Sequence, residues 1–204
     1  MTLTAADIEQ PRSPGALRRF VRAHREAVRA DVDERRLGLL KRGLYKEFLD
    51  EIVPLSCFAV LAYPEDVHVL PILGNQGHDA VVLDPLGNEI DRIEVTAPSD
   101  GVADAADARR VAEHGVGTVR IGDPGDDFEA LSEHVLRTCR SKARKDYSDC
   151  TLVIAIEPMP PFPGLESRFE EQICGLVADM RQVKFKARRV FLLVLPDRLV
   201  LVHG

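Results

Sequence analysis

The 204-residue sequence predicts an α/β protein, a mixed β-sheet with helices on both faces. Three observations carry that expectation. Residues Asp79–Thr96 read as a β-hairpin, with two alternating segments joined by Pro85-Leu86-Gly87-Asn88. Thr151–Ile156 is an unbroken apolar run, which suits a strand covered on both sides. The remaining long segments repeat apolar residues at helical spacing.

In chain order, Ser13-Pro14-Gly15 starts a helix with a capping serine and a proline in its first turn, followed by Leu17, Phe20, Val21, His24 and Val28 on one face. A second helix is expected over Val32–Val53, with Leu37, Leu40, Leu44, Phe48 and Ile52 as its stripe and Pro54 as its end. Leu55–Tyr63 and Val67–Leu73 read as strands, and the loop Gly74–His78 leads into the hairpin. Pro98–Gly101 opens a helix ending at Gly115, Gly117–Ile121 reads as a short strand, and a helix follows the Asp123–Asp127 turn to about Lys145. After the apolar strand come a stiff proline-rich loop, Pro158–Gly164, and a helix from Leu165 to about Gln182. Strands Val190–Leu195 and Leu199–Val202 follow.

Hydrophobic residues at 45% and charged residues at 29% are ordinary for a globular chain of one core, and no apolar run nears the length that spans a bilayer. The expectation is one domain with no membrane partner, located in the cytoplasm because no signal-like pattern opens the chain. Cys57, Cys139, Cys150 and Cys174 are scattered, which argues against a disulfide scaffold or a cysteine zinc site. The net charge of −6 conceals a segregation. Ten basic residues against four acidic ones lie between Ala16 and Lys46, and Arg137, Arg140, Lys142, Arg144 and Lys145 cluster later. Basic elements flanking an acidic middle suit a protein that grips phosphates, and Arg-rich solvated helices explain them equally well.

Asp79 and Glu94 are the informative pair. With the turn centred between Leu86 and Gly87, Asp79 lies opposite Glu94; centred one residue later, it opposes Thr96. Either register leaves Asp79, Glu94 and Thr96 on one surface, because side chains alternate with period two. Like charges across a ladder are destabilising by roughly 0.2–1 kcal/mol. A divalent cation is the most direct way to neutralise them. Six dispersed histidines offer no zinc pair, and His78, beside Asp79, reads as a loop residue.

The succession of a helix bearing Glu47, a strand, a strand opening on Asp79, a strand containing Glu94-Val95-Thr96, a helix and a strand resembles the PD-(D/E)XK nuclease superfamily, the restriction-endonuclease-like fold. The likeness covers roughly residues 37–156. The flanking pattern Asn75-Gln76-Gly77-His78-Asp79, Ile93–Thr96 and Asp100-Gly101 also resembles a group of uncharacterised bacterial proteins within it. The resemblance implies a core at 37–156, with an N-terminal helical extension (1–36) and a C-terminal helix and strands (157–204). It implies Asp79 and Glu94 as ligands of Mg2+ or Mn2+, with Glu47 as an outer ligand or water-orienting group.

The sequence departs from the pattern at Thr96, which stands where the family carries its catalytic lysine. A hydroxyl supplies no positive charge. Lys142 or Lys145 would replace it if their helix packs over the hairpin, whereas Arg92 lies on the wrong side. The resemblance therefore implies a Mg2+-dependent nuclease acting on DNA. The alternative is a catalytically degenerate member of the fold that binds nucleic acid or protein. The C-terminal apolar strands would also serve a homodimer or be covered by the chain itself.

Overall fold

The structure is a computed structural model that describes residues 3–74, 77–98, 101–115, 124–158 and 164–204. The expected strand at Gly117–Ile121, the Asn75-Gln76 and Asp100 parts of the motif, and Met159–Pro163 of the proline-rich loop lie outside the described residues.

A short helix α1 (Ala5–Ile8) precedes α2 (Pro14–Ala30), whose Ser13 cap accepts a hydrogen bond from the Ala16 N–H. Ser13 also donates to Glu65, tying the start of α2 to the loop before the sheet. The second expected helix is broken. Helix α3 (Val32–Leu39) stops where Lys41 and Gly43 take positive φ angles of 46° and 57°, and the chain turns before helix resumes. Leu37, expected to be inward, is exposed because of this break.

Helix then runs through α4 (Tyr45–Glu47), a π-helical turn (Phe48–Ile52) and α5 (Val53–Ala62). Here the expectation of a strand at Leu55–Tyr63 is corrected, and so is the role of Pro54. The residues Val53–Ala59 are all buried, so no amphipathic period survives to separate a helix from a strand. Pro54 sits in the first turn of α5 rather than ending a helix. The widened turn just before it, in which the Val53 N–H reaches the Phe48 carbonyl, accommodates a residue with no N–H to give.

Among the described residues the sheet has six strands in sequence order: β1 (His68–Pro71), β2 (Ala80–Leu83), β3 (Glu89–Thr96), β4 (Tyr147–Ile156), β5 (Ala187–Val194) and β6 (Arg198–His203). The first three pair antiparallel, β3–β4 and β4–β5 pair parallel, and β5–β6 pair antiparallel. Parallel neighbours need crossovers. Helices α6 (Gly101–His114) and α7 (Pro124–Lys142) lie between β3 and β4, and α8 (Glu166–Arg181) between β4 and β5. The outer edge of β1 is partly covered by a bridge between Arg12 and Val69.

Two apolar cores, one on each face, explain the unbroken run in β4. Val153 and Ala155 pack with Leu17, Val21, Phe48, Phe58, Ile93 and Val95 on one side. Leu152, Ile154 and Ile156 pack with Val135, Cys139, Ile173, Leu176 and Met180 on the other. Each fully buried branched or aromatic side chain contributes about 1.5–3 kcal/mol. The molecule is thus α/β with a mixed six-stranded sheet between helical layers, and none of its described helices is long and apolar enough to cross a membrane.

The hairpin has the first of the two registers. Ala80 pairs with Ile93, Val81 with Arg92 and Val82 with Asp91, which sets Asp79 against Glu94 one step further along. Gly87, at φ 86°, closes the turn, and the Asp84 carboxylate accepts from the Leu86 and Asn88 N–H groups.

The buried carboxylate of Asp91 pins the middle of the sheet. It accepts from Tyr63 Oη at 2.6 Å, from Thr151 Oγ1 at 2.9 Å, and from Arg189 and Arg188. One side chain thereby joins α5, β3, β4 and β5. Burial, followed by this carboxylate, raises the Tyr63 pKa, which keeps the phenol a donor.

Candidate active site

Asp79 is held before it reaches the cleft. Its N–H donates to the Ile93 carbonyl at 2.7 Å and its own carbonyl accepts from Ile72 at 2.8 Å. Its Oδ2 accepts from the Val95 N–H at 2.7 Å, across the hairpin. With the backbone clamped on both sides, the carboxylate has little freedom to leave the face it shares with Glu94.

Glu94 Oε1 accepts from Lys142 Nζ at 2.6 Å and from Tyr147 Oη at 3.3 Å. Lys142 is the last residue of α7 and Tyr147 the first of β4. Helix α7 is fixed by Val135 and Cys139 in the core, so its terminal lysine is delivered beside the sheet by packing and not by sequence proximity. The pair is largely sequestered, with side-chain exposures of 17% for Lys142 and 12% for Glu94. Burial lowers the ammonium pKa, but the hydrogen bond and charge of Glu94 outweigh it and the net shift is upward. Lys142 is therefore a fixed cation.

The third acid is Glu51, on the π-helical turn. Burial, then the charges of Asp79, Glu47 and Glu94, push its carboxyl up to about 7. Burial and Glu94 push Asp79 up to about 6, against the lowering influence of the Val95 N–H and Lys142. Both titrate in the range where a carboxylic acid can exchange protons near neutrality.

These residues line one polar cleft of about 560 Å³. Of the residues singled out from sequence, Asp79, Glu94, Thr96, Lys142 and Lys145 all line it. Glu47 is not among its lining residues. It lies four residues before Glu51, with Oε2 buried and without a hydrogen-bond partner among the described residues. His78 is outside the lining, and Arg92 turns away to Glu89 and Asp149, both at 2.7 Å. Sequence reasoning missed Glu51, Asp146 and Tyr147. The Glu47/Glu51 spacing of four, within the helix expected over Val32–Val53, was the available signal.

Among the described residues no three His, Cys, Asp or Glu side chains are grouped as a formed metal site. The donor chemistry nonetheless fits a hard divalent cation. Burial and the charge of Glu94 raise the Asp79 pKa, and Asp79 Oδ1 and Glu94 Oε2 carry no hydrogen bond among the described residues. The orphaned Glu47 Oε2 adds a further acidic oxygen behind Glu51.

No protein-family model matches this chain, and neither the curated proteins nor the solved structures compared with it give a match.

Proposed function

We propose that this chain is a divalent-metal-dependent nuclease built on a restriction-endonuclease-like core, cleaving phosphodiester bonds in DNA. The observation that carries the reading is the Lys142–Glu94 contact at 2.6 Å inside the cleft lined by Asp79 and Glu51. It brings a positive charge, from a helix, to a site whose strand offers Thr96 in the lysine position. The antiparallel β1–β2–β3 meander followed by parallel β4 and β5 supports the same core.

Asp79 and Glu94 would hold Mg2+ or Mn2+, with Glu51 beside them and Glu47 behind. When bound, the ion supplies charge neutralisation at the phosphate and a more acidic water. The chain's own residues do the rest. Glu51, on the cleft wall beside Asp79 and Glu94, would accept a proton from the attacking water. Lys142 faces the charge that develops on the phosphate oxygens, and its contact with Glu94 fixes it before substrate arrives. Lys145, on the cleft wall, provides a second cation for the scissile phosphate.

The test is cleavage of a labelled DNA in Mg2+ or Mn2+ by the intact chain and by Asp79→Asn. Metal-dependent cleavage that Asp79→Asn abolishes supports the reading, and no cleavage with either ion overturns it. A second reading, a non-catalytic binding module of the same fold, is favoured by the occupation of Glu94 Oε1 by Lys142 and Tyr147. It predicts nucleic-acid or protein binding that Asp79→Asn leaves intact, with no cleavage by the parent chain.

A further inference from the structure

We propose that the surface formed by α2, α3 and the π-helical turn binds the single-stranded part of a nucleic-acid substrate. One unpaired base would enter a pocket between the helices while its phosphates lie on the arginines around it. This rests on the phosphodiesterase reading of the carboxylate cleft and adds a strand type to it.

The pocket holds about 210 Å³ and has an apolar lining that includes Val28, Leu39, Tyr45 and Phe48. Arg25, Arg29 and Arg35 line it as well. None of these three guanidiniums has an ion-pair or hydrogen-bond partner among the described residues. Three unpaired cations around an apolar hollow match an anion that carries a flat apolar body, which is the chemistry of a nucleotide. Gly38 lines the hollow without a side chain. A Cβ there would meet Val28 Cγ1 at 3.6 Å and Tyr45 Cδ1 at 3.8 Å, ordinary contact distances. Packing does not require a glycine at this position, and alanine would strengthen the helix.

Arg25 also lines a neighbouring cleft of about 590 Å³, with Arg18 and Lys41, which extends to Ala97 and Pro98. Its acidic members are Asp50, paired with Lys41 at 2.6 Å, and Glu157. Ala97 directly follows Thr96, and Asp50 directly precedes Glu51, both of which line the carboxylate cleft. The proposed course of a strand held at Asp79 and Glu94 runs around the end of β3, past Arg18 and Arg25, to the pocket. The hollow, at about 210 Å³, is on the scale of a single base, and the proposal therefore assigns it an unpaired strand.

The experiment measures binding of a fluorescent single-stranded oligothymidine and of a blunt duplex to the cleavage-disabled Asp79→Asn chain. The same chain is then measured carrying Arg29→Ala/Arg35→Ala or Gly38→Leu. The proposal expects the arginine variant to lose about tenfold in single-strand affinity, the scale of one stacked base or two phosphate contacts. Its plot of log K against log salt becomes shallower by about 1.4, at about 0.7 per phosphate contact on a single strand. Gly38→Leu lowers single-strand affinity without changing that slope, and neither variant alters duplex binding. Single-strand affinity unchanged in both variants overturns the proposal, and so does an equal loss for the duplex. Lack of metal-dependent cleavage by the parent chain overturns the nuclease reading alone, because oligothymidine binding is read without cleavage.

Discussion

Lys142 Nζ and Glu94 Oε1 lie 2.6 Å apart, joining the last residue of α7 to the middle of β3 across 48 positions of sequence. The contact makes the strand's acid and the helix's base a single unit. Under the proposed reading, a phosphate entering the cleft would meet a cation already held by Glu94.

Lys142→Met tests that unit. It leaves the largely buried Glu94 without its main donor, at a cost of about 1–3 kcal/mol in stability. Metal-dependent cleavage should fall by about 100-fold or more, the scale of losing one charge-stabilising group. Urea unfolding and cleavage rates check the two parts separately. In a double-mutant cycle with Glu94→Gln, the double variant should lose less stability than the sum of the two single losses.

The acidic cluster sets a pH dependence of stability in metal-free buffer. Asp79 is raised from 3.8 to about 6 and Glu51 from 4.5 to about 7. Between about pH 4 and pH 7 the folded chain holds protons that the unfolded chain has released, so its stability falls as pH rises through that window. Glu51→Gln removes part of that slope. With allowance for its partial exposure to solvent, it should stabilise the metal-free chain by about 1 kcal/mol at pH 8. The gain should vanish near pH 4, and chemical denaturation at the two pH values measures it.

Asp91→Ala tests the other face of β3. The substitution strips Tyr63, Thr151 and Arg189 of their shared acceptor and leaves a partly buried guanidinium uncompensated. A loss of about 3 kcal/mol in unfolding free energy is expected. Asp91→Asn, which keeps an acceptor oxygen, should lose less, and the difference between the two measures how much of the network depends on charge.

Much of the sheet was legible in the sequence because its signals are local. Period-two alternation and Gly87 mark the hairpin, the continuous run marks β4, and Ile173, Leu176, Val177 and Met180 mark the inward face of α8. What escaped was set by tertiary context. Val53–Ala59 is buried all round, which erased the period that would have distinguished helix from strand. Glu51 lay inside the expected helix, but it was not singled out because its place beside Asp79 and Glu94 depends on how that helix packs against the hairpin. Lys142 and Lys145 were named as candidates from sequence, but that Lys142 would bond to Glu94 depends on how α7 packs through Val135 and Cys139.

The proposal that Asp79 and Glu94 hold a divalent cation is checked by thermal unfolding with and without Mn2+ or Mg2+ at pH 8. The ion should raise the melting temperature of the parent chain by an amount that grows with ion concentration, and Asp79→Asn should remove the rise. A melting temperature indifferent to both ions, or a rise of equal size in Asp79→Asn, would contradict it.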